Sequence, residues 1–302
     1  TTDVIESQMP EDVIVENKMK MLLNDLDIYG TKREPLEKMP IASKWNFLVQ
    51  QNQRDRTTLA PEALLDELHV KVTQATLDSI NSCLEKFRLS WGIQFFRLEG
   101  HLILLNILSG LQGHLEGFMP MKPEENSILY ATLQCIREIC NTKSGFPKIT
   151  KHKNSLRIII NSIDLDEPRT FEAIFDISMI FLFSNDKESK KTKTLTKMIQ
   201  YFDDLRRKKV EKDQEIFLNG WESITSNLNN KPSHTFLGKL SGFLTGIIEV
   251  LKNPDNSMIL LDFARKVEAS GLMGALKNYV QQKPNIQLIT DYFEDSIQFN
   301  ND

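Results

Sequence analysis

Cysteine is scarce in this chain of 302 residues. Cys83, Cys135 and Cys140 are the only three, an odd number that rules out a closed disulfide framework. Each falls in an apolar helical pattern, so they are read as reduced core or near-core residues. An excess of one charge is lacking too. A net charge of −4 gives no global field toward nucleic acid or an anionic membrane. No apolar run approaches the ~20 residues of a membrane span, and nothing from Thr1 onward reads as a signal peptide. The marks of catalysis are missing as well. His69, His101, His114, His152 and His234 have no cysteine or carboxylate at zinc-like spacing. There is no G-x-S-x-G, no G-x-x-x-x-G-K-S/T and no G-x-G-x-x-G. The chain is expected to hold no metal, to use no cofactor and not to be an enzyme.

What is present is helical period. A hydrophobic share of 40% and a charged share of 26% fit a globular protein. From about Asn17 the apolar residues recur at helical spacing and strand alternation is rare. Ile158–Ile160 and Met179–Phe183 are the best strand candidates, but both sit inside longer segments with 3.6 spacing and read as buried helix. Three segments share a theme. Leu98–Leu108 is an apolar helix opened by Gly100 at a crowded corner. Lys153–Ile163 opens on small polar residues, and Ser270–Val280 opens on Gly271. Between them lie apolar partners at Ile128–Cys140, Phe171–Phe183 and Phe236–Leu251. Recurrence every ~40–55 residues marks an armadillo or HEAT-like solenoid, in which stacking buries faces that no unit buries alone. A solenoid also leaves a long concave face for a partner.

Turn chemistry punctuates the repeats at Met119–Pro123, Asp164–Pro168, Lys231-Pro232 and Asn253–Asn256. Ser127 and Thr170 are candidate N-caps. Ser184–Lys193 reads as an exposed loop. The basic run Arg206–Lys209, close to Asp203 and Asp204, reads as a solvated helix face. The predicted organisation is a flexible leader at 1–16, a helical subdomain at 17–75, a repeat domain at 76–295 and a polar tail at 296–302. The chain, which begins with Thr, is read as a piece of something longer.

The N-terminal third carries the most informative pattern. Met21–Ile28 is an apolar helical turn, Lys32–Leu36 a charged connector with Pro35, and Met39–Gln51 a second amphipathic helix. Further on come Arg88-Leu89-Ser90-Trp91 before Glu99-Gly100, then Cys135–Phe146 ending in Asn-x-Lys-x-Gly, and Leu261–Arg265 running to Gly271-Leu272. In order and spacing these resemble the N-terminal GTPase-binding and formin-homology-3 region of diaphanous-related formins, over most of residues 20–295. The resemblance implies an all-α, right-handed armadillo superhelix behind an N-terminal GTPase-binding subdomain. It implies two partners: a Rho-family GTPase in its GTP state, and a short helix from the formin's own C-terminus. Actin would be engaged by downstream domains, the full protein would be a homodimer, and no nucleic acid is expected. The location implied is cytoplasmic and cytoskeletal, with membrane recruitment through the GTPase.

By position, the resemblance puts GTPase contacts on Lys38, Lys44, Trp45, Leu48, Arg88 and Leu89, with Lys44 acting through its charge. It puts the autoregulatory helix on Arg137, Asn141, Met179 and Leu182. The residues themselves leave other readings open. Trp45 also reads as a core anchor, Asn141 as a helix C-cap, and Met179 and Leu182 as solenoid core. The asparagine run that animal relatives carry before the Ser-Trp pair is replaced by Glu85–Leu89, as a divergent member such as a protist formin would allow. Two other functions compete with the formin reading. One is an armadillo or HEAT adaptor binding a linear peptide without GTPase control. The other is a GTPase regulator, which would need an arginine finger that no motif singles out.

Overall fold

The computed structural model describes residues 9–26, 28–56, 59–86, 89–117, 121–184, 187–211, 214–280 and 284–298. Seventeen α-helices and one two-stranded sheet lie among the described residues, so the predicted all-α, armadillo-like class holds. The chain divides into two compact units, Thr1–Gly100 and His101–Asp302. That division falls after residue 100, in place of the predicted border between 75 and 76.

In the first unit, α1 (Asp12–Asp25) packs on α3 (Ile41–Arg56), with the short α2 (Glu34–Glu37) between them in sequence. Val15, Met19, Leu22 and Leu23 recur at helical spacing on α1 and bury against Leu48. The helix therefore starts inside the predicted leader: residues 12–16 are helical, and Val15 is core. Then α4 (Pro61–Val70), α5 (Gln74–Glu85) and α6 (Leu89–Arg97) follow, α4 packing on both of the others. Thr73 caps α5 by accepting from the Thr76 amide at 3.2 Å. Trp91 on α6 is buried, stacks on Phe95 at 5.2 Å, and donates its Nε1–H to the Leu59 carbonyl at 2.9 Å. Gly100 is the crowded corner read from the sequence. A Cβ there would lie 2.4 Å from the Phe95 ring, so only glycine lets the chain turn so close to that ring.

The second unit runs from α7 (Gly100–Leu115) through α8 (Pro123–Cys140), α9 (Phe146–Lys151), α10 (Ser155–Ile160), α11 (Arg169–Phe183) and α12 (Glu188–Asp204). After the hairpin β1 (Arg207–Glu211) and β2 (Gln214–Leu218) come α13 (Gly220–Asn229), α14 (His234–Leu251), α15 (Ser257–Ala269), α16 (Leu272–Lys277) and α17 (Pro284–Gln298). The predicted punctuation holds at Asp164–Pro168, Lys231-Pro232 and Asn253–Asn256, each found between α-helices; of Met119–Pro123, Met119 and Pro120 lie outside the described residues and Pro123 opens α8. The middle helix α11 packs against both α8 and α14. A line of rings ties the helices together. Phe175 stacks on Phe243 at 4.8 Å, Phe243 lies 5.7 Å from Phe202, and Phe202 stacks on Trp221 at 4.7 Å. Trp221 meets Phe263 at 5.0 Å, and Phe263 meets Phe293 at 5.4 Å. All six rings are fully buried.

Several local predictions give way. Ser127 lies inside α8, whose N-cap is Lys122 with Glu125 in a capping box. Thr170 sits in the first turn of α11, where it holds the preceding loop by accepting from the Asp164 amide at 3.0 Å. The predicted loop at 184–193 becomes helical from Glu188, and the predicted tail is helical to Gln298. The largest change is at Arg206–Lys209, of which Arg207–Lys209 lie in strand β1 and not on a helix face. Arg207 is buried and donates to the Ile163 carbonyl at 2.5 Å, to the Arg206 carbonyl at 2.7 Å and to the Asn161 carbonyl. Burial pushes its pKa down to about 10, opposed by the charges of Glu116 and Asp164, so it stays charged at neutral pH. Asp203 is likewise engaged, accepting from Trp221 Nε1 at 3.0 Å and pairing with Lys266 at 2.5 Å.

All three cysteines are buried, and none is in a disulfide. Burial pushes the Cys140 thiol up to about 12 and raises that of Cys83. Native protein mixed with Ellman's reagent should therefore release almost no thionitrobenzoate over minutes, while the denatured chain reacts at all three sites. A thiol that reacts in the native state as fast as in denaturant would contradict the burial.

Candidate functional site

The first unit contains an open groove of about 970 Å3 walled by α1, the segment after it, α3 and α6. Leu22 and Leu48 form its buried floor, and Leu89 a half-buried wall. Above them Met21, Tyr29 and Ile93 are 71%, 52% and 54% exposed. The helical period produces this arrangement. With Val15, Met19 and Leu22 turned into the core, Met21 is carried about 100° away from Leu22 and out to solvent. Asp25 fixes the two walls together. Its carboxylate accepts from the Ser90 amide at 2.7 Å and from the Ser90 hydroxyl at 3.1 Å, capping α6 from the end of α1. The Ser-Trp pair thus acts as a fastener, Ser90 to α1 and Trp91 to the core.

The residues singled out from the sequence fare unequally. Leu48 and Leu89 do come together in the groove. Trp45 is half-buried against the apolar cluster of α1 and α3. Lys38 is exposed and pairs with Glu34 at 2.5 Å, away from the groove lining. Arg88 lies outside the described residues. Lys44 is corrected: it is 3% exposed, and its ammonium pairs with Glu16 at 2.5 Å. A cation enclosed between α1 and α3 cannot present its charge to a partner. Sequence reasoning missed Met21, Tyr29 and Ile93 as site residues. Their apolarity was visible, but their exposure depends on how α1, α3 and α6 pack.

The second surface lies in the other unit, along α8, α11 and α14. Asp176 on α11 accepts from Lys239 on α14 at 2.6 Å and lies 3.9 Å from the Arg137 guanidinium on α8, linking the three helices. Met179 is half-buried and lines a recess of about 460 Å3 with Phe183, Gly238, Gly242 and Thr245. A Cβ on Gly246 would fall 2.3 Å from the Met179 Cε, so the glycine makes room for this side chain. Asn141 is exposed and is the C-cap of α8, as one of its two readings had it. Leu182 is corrected from groove contact to core, at 0% exposure. It is three residues from Met179, a rotation of about 60° on the helix, and that places it under the surface. No group of three or more histidine, cysteine, aspartate or glutamate residues that could hold a metal occurs among the described residues.

Residues 7–183 match the family model described as the Diaphanous GTPase-binding Domain. The chain belongs to that family. The match contains the whole groove and every candidate contact, from Lys38 to Leu182. Protein diaphanous homolog 3 of Mus musculus is 25% identical over 173 residues, covering 53% of this chain and 14% of that protein. Protein diaphanous homolog 2 of Homo sapiens is 24% identical over 177 residues, covering 52% and 15%. Disheveled-associated activator of morphogenesis 1 of Mus musculus is 21% identical over 175 residues, covering 52% and 16%. The matched segments are thus about one-seventh of the length of these relatives. As a diaphanous GTPase-binding domain, the chain is a regulatory region of a diaphanous-related formin and not an enzymatic domain.

The Lys44–Glu16 pair can be tested directly. Glu16→Gln strips the partner from an enclosed ammonium and should destabilise the protein by about 2 kcal/mol. That is below the roughly 3–5 kcal/mol of a fully buried pair, because Glu16 itself is 36% exposed. Urea denaturation followed by circular dichroism measures it. An unchanged midpoint would mean the pair does not hold α1 to α3.

Proposed function

We propose that this chain is the regulatory module of a formin actin nucleator. It binds a GTP-loaded Rho-family GTPase through the groove of α1, α3 and α6. Without the GTPase it holds the formin's own C-terminal autoregulatory helix against α8, α11 and α14, and so controls actin filament assembly. The observation that carries the GTPase reading is the exposed apolar trio Met21, Tyr29 and Ile93 over that groove, inside the segment matched to a GTPase-binding family. Large apolar side chains at the centre of a contact, ringed by polar groups such as Lys18, Asn24 and Ser90, are the pattern of an interface hot spot. An adaptor that binds only a linear peptide has no use for a second apolar groove of this size.

The deciding measurement is calorimetry against GTP-analogue-loaded and GDP-loaded partner. Ile93→Asp should weaken binding of the GTP form by about 2–3 kcal/mol, since a carboxylate would be desolvated against apolar surface. Val70→Asp serves as control, because Val70 is exposed in the same unit but does not line the groove. Equal affinity for both nucleotide states would sink the effector reading.

The helix-docking face is tested by a pair of variants. Met179→Asp should keep a melting temperature near wild type and lose capture of the C-terminal helix. Leu182→Asp buries a carboxylate in a packed core and should collapse the melt. If Met179→Asp still captures the helix with full affinity, the docking site lies elsewhere.

A further inference from the structure

The even charge balance of the whole chain conceals a strongly uneven local one. Residues 143–157 hold five cations, Lys143, Lys148, Lys151, Lys153 and Arg157, and no carboxylate. Residues 187–197 hold five lysines and one carboxylate, Glu188, which pairs with Lys191 at 2.7 Å. The two stretches are neighbours in the fold. α9 packs on α10, and α10 on α12. Lys153 and Lys197 line one recess of about 200 Å3 between them. On α12, Lys190, Lys193 and Lys197 recur at i, i+3 and i+7, one exposed stripe.

Several lysines elsewhere in the protein are neutralised. Lys38, Lys44, Lys208, Lys239, Lys252, Lys266 and Lys277 each pair with a carboxylate. Lys148, Lys151, Lys153, Lys193 and Lys197 are exposed and have no ion-pair partner among the described residues. Like charges held together without counter-charges repel one another, and an external anion relieves that repulsion.

We infer that α9, α10 and α12 form a docking surface for an anionic lipid bilayer. The chemistry favours a bilayer over other polyanions. Exposed positions between the cations include Pro147, Thr150, Asn154, Ser189 and Thr196; the rings that line the recess, Phe146, Phe181 and Tyr201, are half-buried or buried in its walls and offer no exposed platform on which a nucleic-acid base would stack. The recess is too small for a peptide helix or strand but has room for one phosphate-bearing headgroup. His152, Thr150 and Thr194 line it, and the His152 Nδ1 is buried without a hydrogen-bond partner. Lysine outnumbers arginine nine to one across the two stretches. Point charges on flexible stems suit a laterally mobile layer of headgroups better than the fixed fork of arginine does. None of these residues belongs to the GTPase groove, so this contact is independent of it.

The experiment is co-sedimentation of the intact chain with phosphatidylcholine vesicles, with and without phosphatidylserine. Binding is expected only to the anionic vesicles, at about 0.1 M salt, and lost at about 1 M, where the Debye length falls to about 3 Å. Each lysine at such a surface contributes about a fivefold gain in partitioning. Lys153→Gln with Lys193→Gln and Lys197→Gln should therefore cost about a hundredfold. The corresponding triple arginine variant should bind as wild type, which separates lost charge from lost fold. A glutamine triple on Lys71, Lys86 and Lys122, exposed lysines outside this surface, should also bind as wild type. Equal binding to neutral vesicles, an unaffected Lys153/Lys193/Lys197 glutamine triple, or binding to a DNA duplex with none to vesicles would each overturn the proposal.

Discussion

The second unit depends on one continuous line of buried rings. Phe175, Phe243, Phe202, Trp221, Phe263 and Phe293 come from α11, α14, α12, α13, α15 and α17. Helices in a stack of this kind touch only their neighbours, so stability passes along as a series of nearest-neighbour terms. Two of these junctions also carry a side-chain hydrogen bond, Lys239 to Asp176 between α14 and α11 and Trp221 to Asp203 between α13 and α12. Edge-to-face and stacked pairs add about 0.5–1.5 kcal/mol each beyond their area. Because each of the four rings inside the line meets one on either side, loss of one of them would loosen two junctions. The surface of α8, α11 and α14 is only as well placed as this line makes it.

The first unit solves the same problem with polar fasteners around a smaller apolar centre. Its core cluster on α1 and α3 has five buried members. The Lys44–Glu16 pair clasps those two helices, and Asp25 clasps α1 to α6 through Ser90. Polar fasteners demand a particular geometry, whereas apolar packing tolerates sliding. A groove whose walls must keep a fixed spacing is well served by the former. The apolar side chains over the groove then do not have to hold the unit together, and are available to a partner.

Much of this was legible in the sequence, and the failures share a cause. The helices, the buried segments around Ile158–Ile160 and Met179–Phe183, and the turns at Pro123, Pro168, Pro232 and Pro254 follow from local period and turn chemistry. Gly100 was legible because a glycine that opens an apolar helix has few other reasons to be there. Lys44 was not, since its partner Glu16 is 28 residues away and nothing local distinguishes a clasped lysine from a solvated one. Arg207 was misjudged similarly. Its acceptors at 161 and 163 lie about forty-five residues upstream, so its neighbours in sequence suggested a solvated face. Met179 and Leu182 share one apolar pattern, and only the packing of α8 and α14 decides which of them reaches the surface. Leu48 and Leu89 were placed by resemblance, while Met21, Tyr29 and Ile93 needed the assembled groove.

Arg207 also bears on where this domain ends. Its guanidinium satisfies the carbonyls that leave α10 for the turn into α11, and it reaches them from β1. The segment matched to the family stops at residue 183, before that arginine. Asp176 and Met179 lie within the match, but Lys239 and Gly246, against which they rest, lie beyond it. The homologous segment therefore rests partly on chain that lies beyond it. Its last helix is completed by chain that emerges from synthesis later, and the corner between α10 and α11 closes only once β1 has been made.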